Sequence, residues 1–258
     1  MNFFKPKELP KIMVAPNGAR KTKKDHSNIP VTINELVLDA EDCFNQGAKA
    51  IHFHVRDNNQ NHVLDAGLYN EALQELSKKL PKMHFQITTE SVQKYDPKEM
   101  RKVTISVMPP GVSIGIIEMI PDGIITKEVI KFYRMLEEND VRVQHICYKP
   151  EQVVLLSELL EKSNISKVNV WCMFTIGHYT GIKSDPNLIQ LFLDTAASQK
   201  INPDWAVCAF DNEEHACLKK AISLGGKVRV GFENSMVLPN GGIAKNNSEK
   251  VKIASKLF

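Results

Sequence analysis

The sequence predicts an α/β protein folded as a (β/α)₈ TIM barrel, in one domain spanning residues 1–258. Short runs rich in β-branched and aromatic residues alternate with amphipathic helical patterns along the whole chain. No linker rich in Gly, Ser or Pro divides the chain, and its 258 residues match the length of one such barrel. A doubly wound open sheet is the alternative architecture.

Eight segments have the pattern of barrel strands. In chain order they are residues 12–17, 50–57, 84–90, 104–108, 141–148, 167–175, 204–210 and 227–234. The fourth is the weakest, because residues 108–115 show no helical pattern after it. Those residues are expected to open a connection of about thirty residues, which is long for a compact domain unless it is functional.

Amphipathic segments occupy most of the connections between these strands. They are residues 32–45, 68–79, 127–138, 151–161, 187–198 and 213–224, each with apolar residues at three- and four-residue spacing. Thr32 and Glu35 form a capping-box pattern at the start of the first segment, and Pro186 with Asn187 opens the fifth.

Composition and charge exclude several functional classes. A formal net charge of +3 is too small to indicate a nucleic-acid partner. No apolar run approaches the length of a membrane span, and the first residues lack the pattern of a signal peptide, so a cytoplasmic protein without a membrane partner is expected. The five cysteines form no C-x-x-C pair and lie mostly in apolar runs, as buried free thiols do.

The second predicted strand carries a candidate metal site. Alternation along a strand points His52, His54 and Arg56 to one side, and two imidazoles there can share a metal ion, most naturally Zn²⁺. Glu233, at the carboxyl end of the eighth strand, would be a third ligand because strands eight, one and two adjoin in a closed barrel. Two hydrogen-bonded core histidines are the alternative interpretation.

Further polar side chains are expected at the same end of the barrel. On the third strand Gln86, Thr88 and Glu90 alternate onto one face, which suits either a hydrated barrel mouth or a small polar ligand. Arg20, in the loop after the first strand, is a candidate for binding substrate. The lysines from 21 to 24 that follow it are expected to be solvated.

Five motifs together resemble the β-keto acid cleavage enzymes, the family of 3-keto-5-aminohexanoate cleavage enzyme. They are M-V-A-P-N-G-A at 13–19, H-F-H-V-R-D at 52–57, Q-I-T-T at 86–89, G-G-K-V-R-V-G-F-E-N at 225–234 and L-P-N-G-G-I-A at 238–244. The resemblance implies a TIM barrel, a catalytic Zn²⁺ held by His52, His54 and Glu233, and a homo-oligomer, most simply a homotetramer. It also implies cleavage of a β-keto acid with acetyl-CoA as co-substrate, giving acetoacetate and an acyl-CoA.

The resemblance also assigns roles to single positions. Arg229, Asn234 and Gln144 are the predicted catalytic positions, and Arg20, Arg56, Thr88 and Ser113 are the predicted substrate-binding positions. Asn234 and Gln144 replace carboxylates usual in the family, and Arg20 replaces a glutamate found in members that act on cationic substrates. Residues 115–118 and 209–212 also depart from the family pattern where CoA contacts are expected.

Two explanations fit these replacements, and a third alternative concerns the reaction class. A site poor in carboxylates and rimmed by arginines favours an anionic β-keto acid, such as 3-oxoglutarate or 3-oxoadipate. The same replacements fit a relative that binds metal and a small carboxylate but is catalytically impaired, because amides cannot transfer protons at neutral pH. A metal-dependent hydrolase is the third alternative, for which His145 and His178 are the only further candidate ligands.

Overall fold

A computed structural model describes residues 3–258. The strands within this range are β1 (Ile12–Val14), β2 (Ala50–Phe53), β3 (Val55–Arg56), β4 (His62–Val63), β5 (His84–Thr88), β6 (Gly111–Gly115), β7 (Arg142–Cys147), β8 (Val168–Ile176), β9 (Asn202–Ala209) and β10 (Lys227–Val230). The helices are α1 (Ile33–Asn45), α2 (Ala66–Lys79), α3 (Pro97–Val107), α4 (Ile116–Met119), α5 (Lys127–Glu138), α6 (Glu151–Ser163), α7 (Leu188–Ser198), α8 (Glu214–Ser223) and α9 (Asn247–Ser255).

Eight of the strands close into a parallel barrel, which confirms the predicted TIM barrel and excludes the open sheet. Their order around the barrel is β1, β10, β9, β8, β7, β6, β5 and β2, returning to β1. Met13 of β1 lies in register with Arg229 of β10 on one side and Ala50 of β2 on the other. The predicted adjacency of the eighth, first and second barrel strands is therefore confirmed. Strands β3 and β4 form a separate antiparallel hairpin.

The prediction of a strand at 104–108 was wrong, because these residues form the end of α3 and its cap. Asp96 and Glu99 make a capping box at the start of α3, Pro97 occupies its first turn, and Met108 ends it in the left-handed conformation. The helix buries Met100 and Val103 against the barrel. Tertiary packing and capping thus override the strand preference of its β-branched residues.

The fourth barrel strand is instead β6, within the segment that was expected to be a loop. Its five residues, Gly-Val-Ser-Ile-Gly, are all buried and pair with both β5 and β7. Gly111 packs against His84, where an added Cβ would fall 2.8 Å from the ring carbon Cε1. Glycines at both ends give this strand a loop-like composition, although it is paired on both sides in the closed barrel.

The hydrophobic core has two main parts. One fills the space between the barrel and its helices, and the other lies inside the barrel and consists of Leu9, Met13, Ala50, Ile146, Trp171, Met173, Ala206 and Cys208. All five cysteines are buried and free, as predicted. Within residues 3–258 the structure contains no helix long and apolar enough to cross a membrane.

Candidate active site

Two buried histidines occupy the carboxyl end of β2. His52 belongs to the strand, whereas His54 follows its last residue and has left the parallel ladder. The side chain of Asn17, in the loop after β1, replaces the ladder there. Its Nδ2 donates to the carbonyl of His54 over 2.9 Å, and its Oδ1 accepts from the backbone N–H of His54 over 3.2 Å. Asn17 therefore fixes the backbone that carries His54.

Glu233 completes the cluster from the turn that follows β10. Its Oε2 lies 3.4 Å from His52 Nε2 and 3.3 Å from His54 Nε2. A tetrahedral zinc site with bonds of roughly 2.0–2.1 Å places its ligand atoms about 3.3–3.4 Å apart. His54 Nε2 and Glu233 Oε2 are also buried without a hydrogen-bond partner. The structure thus brings the three predicted ligands together in a geometry that fits a metal ion, and they are the only such cluster found within residues 3–258.

The charge states of the cluster suit metal binding. Burial lowers the pKa of His52 to about 4 and that of His54 well below its ordinary value, so both rings are neutral near pH 7. Burial raises the pKa of Glu233, but the guanidinium of Arg229 outweighs it and holds that pKa well below the usual range. The carboxylate is therefore ionised beside two neutral imidazoles, which are the forms that ligate metals.

A chain of amides stands behind His52. His52 Nδ1 donates to Gln86 Oε1 over 2.9 Å, and Gln86 Nε2 donates to Gln144 Oε1 over 3.0 Å. Ser113 Oγ lies 3.3 Å from the same Nδ1. The structure thus places Gln144 two side chains behind the cluster, and it is not among the residues that line the cavity described next.

A cavity of about 80 Å³ opens in front of the cluster, at the carboxyl ends of the barrel strands. The predicted residues His52, Thr88, Ser113, Arg20, Arg229 and Glu233 all line it. Arg229 Nη2 lies 2.9 Å from Glu233 Oε1, while its Nε and Nη1 are buried and have no partner. Arg229 thus lines the cavity beside the candidate metal site and has buried N–H groups without a partner.

The cavity also contains residues that the sequence did not single out. Glu118, Tyr148, Thr175 and Tyr179 line it. Glu118 lies in α4 after β6, Tyr148 directly follows β7, Thr175 belongs to β8, and Tyr179 lies in the turn after β8. None of them belongs to one of the five motifs. Only the closed barrel brings them together.

Arg20 lies at the mouth of the cavity. Its guanidinium stacks on the ring of Tyr179, 3.8 Å from the centroid, and it also donates to the hydroxyl of that tyrosine. Its Nη2 is 3.8 Å from Glu90 Oε1. Burial, with Glu233 and Glu118 nearby, raises the pKa of Glu90 to about 8. The prediction of a site poor in carboxylates was wrong, because Glu90 and Glu118 line the same cavity as Arg20 and Arg229.

Two predicted site residues are turned away from the cavity. Arg56 donates to backbone carbonyls of the loop after β1, among them those of Asn17, Ala19 and Lys21, over 3.2, 3.3 and 2.9 Å. Asn234 is buried with both amide atoms unpaired and is not among the lining residues. In this structure Arg56 shapes the first loop.

Lys21 differs from the solvated side chain that was expected. Its Nζ donates to the carbonyls of Phe232 and Glu233, over 2.6 and 3.1 Å, and burial lowers its pKa. It therefore ties the first loop to the turn that carries Glu233.

The additional histidines considered for a hydrolase lie elsewhere. His145 Nδ1 donates to the carbonyl of Trp171, and its ring stacks on Tyr133 outside the barrel. His178 is paired with Thr180 in a partly exposed turn. Neither contributes to the His52, His54 and Glu233 cluster.

Fold and site together define a barrel of the catalytic (β/α)₈ class, with a candidate His₂Glu metal centre at the carboxyl ends of its strands. The family model of the beta-keto acid cleavage enzymes matches residues 11–258, so the chain belongs to that enzyme family. Membership confirms the resemblance that the motifs indicated.

Individual relatives are distant but extend over nearly the whole chain. A 3-keto-5-aminohexanoate cleavage enzyme of Acetoanaerobium sticklandii is 24% identical over 95% of this chain and 90% of its own length. A 3-oxoadipate:acetyl-CoA acetyltransferase of Cupriavidus necator is 19% identical over 95% of this chain and 87% of its own length. Among solved structures, ObcA in complex with oxaloacetate has a TM-score of 0.69 at 12% identity, covering 89% of this chain and 63% of the ObcA chain. That likeness concerns the fold.

Proposed function

We propose that this protein is a Zn²⁺-dependent enzyme that converts a small anionic β-keto acid and acetyl-CoA into acetoacetate and an acyl-CoA. The observation that carries the proposal is the pairing of two features in one cavity. The His52, His54 and Glu233 cluster fits a metal ion, and Arg229, whose guanidinium has unpaired N–H groups, lines the cavity beside it. The relatives named above as a keto-acid cleavage enzyme and as an acetyl-CoA acetyltransferase support the reaction class.

The exchange proposed here balances without an oxidant or a reductant. The bond between C2 and C3 of the β-keto acid breaks, and C2 with its carboxylate joins the acetyl group to form acetoacetate. The remaining acyl group passes to the thiol of CoA. With 3-oxoglutarate as substrate the products are acetoacetate and malonyl-CoA, and with 3-oxoadipate they are acetoacetate and succinyl-CoA.

Each group in the cavity has a distinct task in this exchange. A bound Zn²⁺ supplies Lewis-acid polarisation of a keto oxygen. Arg229 lines the cavity with Nε and Nη1 unpaired, which supports a role in binding a carboxylate, because charge-assisted hydrogen bonds from a buried guanidinium are strong. Thr88 and Ser113 bring hydroxyl-bearing side chains to the same wall.

An anionic distal group on the substrate fits the position of Arg20. This guanidinium is held by Tyr179 at the cavity mouth, so it is already oriented before a ligand arrives. Because Glu90 has a raised pKa, its charge does not fully cancel that of Arg20 near pH 7. A β-keto diacid would place one carboxylate at Arg229 and the other at Arg20. The relative named for 3-oxoadipate is consistent with this substrate class.

An adjoining groove gives room for acetyl-CoA. It has a volume of about 740 Å³ and shares Arg20, Glu118, Tyr148, Thr175 and Tyr179 with the cavity. Its lining includes apolar side chains such as Ile117 and Ile182, together with Lys149. Such a surface suits the pantetheine arm and one phosphate of CoA.

The deciding experiment measures bound metal and turnover together. Wild type, His54→Ala and the control His215→Ala, on α8 away from the cavity and the groove, are purified and analysed for zinc, and then assayed with 3-oxoadipate and 3-oxoglutarate plus acetyl-CoA for acetoacetate release. We expect zinc and turnover in wild type and His215→Ala and neither in His54→Ala. A wild type without zinc would reject the metal centre, and faster turnover of a cationic β-keto acid than of the diacids would reject the substrate class.

A metal-binding but catalytically impaired protein is the second candidate. The amides of Gln144 and Asn234 stand where proton-transferring carboxylates are usual in the family, and both are buried. Zinc in the wild type without any turnover of β-keto acids would favour this candidate. A homotetramer in the cytoplasm completes the proposal, and light scattering coupled to gel filtration tests the tetramer.

A further inference from the structure

His62 contacts the ring nitrogen of His54 that does not face Glu233. Its Nδ1 lies 3.3 Å from His54 Nδ1, and its Nε2 lies 3.1 Å from the carbonyl oxygen of Glu90. The short β3–β4 hairpin produces this contact, because it pairs Arg56 with His62 and brings the chain back over the end of β2. His62 is buried, with 4% of its surface exposed.

The partners of His62 fix the proton positions along this chain of rings. A carbonyl oxygen can only accept, so His62 Nε2 carries a proton and donates to Glu90. The neutral ring has one N–H, which is on Nε2, so Nδ1 is left as an acceptor for the nitrogen 3.3 Å away. His54 Nδ1 is then the donor, and the lone pair of His54 Nε2 points toward Glu233.

Without that acceptor, Glu233 would favour the opposite tautomer. Its Oε2 is 3.3 Å from His54 Nε2, and a carboxylate at this distance attracts a proton onto the nitrogen that a metal ion needs. His52 faces the same competition and has its own acceptor, Gln86 Oε1, on Nδ1. Each ligating histidine is thus oriented by a partner of its own, and only the partner of His54 is itself a titratable ring.

We propose that His62 is a positioning residue that selects the Nδ1–H tautomer of His54 and so keeps Nε2 available as a metal ligand. The hairpin β3–β4 is the element that delivers it. This inference rests on the metal centre of the proposed function, and it adds a residue that lies outside the cavity and outside the H-F-H-V-R-D segment. Orienting partners of ligating histidines commonly contribute about 10- to 100-fold to metal affinity.

Three variants separate the two hydrogen bonds of His62. In His62→Asn the side-chain oxygen can take the place of Nδ1 and accept from His54. In His62→Gln the side-chain nitrogen can take the place of Nε2 and donate to Glu90, but the acceptor is lost. His62→Leu removes both. With Zn²⁺ as the probe and a chromophoric chelator as competitor, we expect near wild-type affinity for His62→Asn and about 10- to 100-fold weaker binding for His62→Gln and His62→Leu.

A spectroscopic measurement tests the tautomer without metal. Long-range ¹H–¹⁵N correlation spectra of the metal-free protein, with labelled histidine, should show a proton on Nδ1 of His54 in wild type and His62→Asn. They should show one on Nε2 in His62→Gln. If His62→Leu does not fold, the Asn and Gln variants still show whether His62 sets the tautomer of His54.

Two outcomes overturn the proposal. One is equal zinc affinity in the Asn and Gln variants, and the other is an unchanged His54 tautomer in His62→Gln. If the wild type binds no zinc, the metal centre of the proposed function fails, while the spectra still report whether His62 sets the tautomer.

Discussion

Arg20 is the residue on which the proposed substrate preference depends. Its guanidinium stands at the cavity mouth, clamped by Tyr179. A hydrogen bond to a charged partner contributes about 1.5–3 kcal/mol, so we expect Arg20→Gln to lower kcat/KM for a β-keto diacid by about 10- to 100-fold. The kcat/KM for a β-keto acid of similar length with an uncharged distal group should change little. Steady-state kinetics on both substrates check this, and an equal loss on both would contradict the assignment.

A substitution at Asn234 distinguishes the two candidate functions, an active enzyme and a catalytically impaired relative. Its amide is buried without partners and does not line the cavity, so a carboxylate there would be desolvated and outside the cavity lining. We expect Asn234→Asp to lower the free energy of unfolding by about 1–3 kcal/mol and to leave turnover within a few-fold. Denaturant unfolding and assays with 3-oxoadipate measure both. A rise in turnover on the order of 100-fold would favour the impaired relative instead.

The sequence predicted the candidate metal ligands because their signal is local. His52 and His54 share one strand face, and Glu233 ends a neighbouring strand, so alternation and barrel closure suffice to bring them together. Glu118 and Tyr179 carry no such signal, since their contacts span loops distant in sequence. The orientation of Arg56 was equally unpredictable, because it depends on carbonyls of a folded loop.

At the level of elements, the loop after β1 and the turn after β10 are in close contact. Gly18 has a φ of +60°, and a Cβ added there would lie 2.6 Å from Cγ of Glu233. Lys21 and Asn17 hold the same loop against the cluster. The position of the third candidate ligand therefore depends on a glycine in a different element.

Gly18→Ala should accordingly displace Glu233 and weaken zinc binding by at least about 10-fold. Gly123→Ala is a matched control, because Gly123 has a φ of +73° but nothing lies within 4 Å of an added Cβ. Both variants should lose roughly 1 kcal/mol of stability from the left-handed backbone. Chelator competition distinguishes them, and equal zinc affinity in the two variants would show that the contact with Glu233 does not matter.

The fourth βα unit shows why sequence patterns assigned most elements but not all. Helix α5 was predicted with the bounds that the structure has, since its apolar spacing is regular. Residues 104–108 were misassigned because a β-branched run lies inside α3, whose capping signals at Asp96 and Glu99 were overlooked. Strand β6 has glycines at both ends and follows two prolines, so only its pairing with β5 and β7 identifies it.

For the whole molecule, burial shifts many titratable groups in opposing directions. Histidines with a pKa lowered to about 4 are His52, His62, His84 and His145. Acids with a pKa raised to about 7 or 8 are Asp39, Glu214 and Glu90. Between pH 4 and pH 6.5 these histidines bind more protons in the unfolded state than in the folded state, which lowers stability as the pH falls. The three acids bind more protons in the folded state, which raises stability as the pH falls. These effects on the unfolding free energy oppose each other. The contribution of a single group is therefore measured as the difference between wild type and a variant that lacks the group.

His145 is a suitable group for this measurement, because it lies outside the candidate metal site. Burial lowers its pKa from 6.5 to about 4, so the unfolded state binds the extra proton between these values. The stability that neutral His145 contributes is present above pH 6.5 and is lost as the pH falls toward 4. The unfolding free energy of wild type minus that of His145→Gln should therefore decrease by roughly 2–3 kcal/mol between pH 7.5 and pH 4.5. Denaturant titrations of the metal-free proteins measure it, with His215→Gln as a less buried control whose difference should change less. A pH-independent difference for His145→Gln would mean that its ring is protonated in the fold, contrary to its stacking on Tyr133 and its single bond to Trp171.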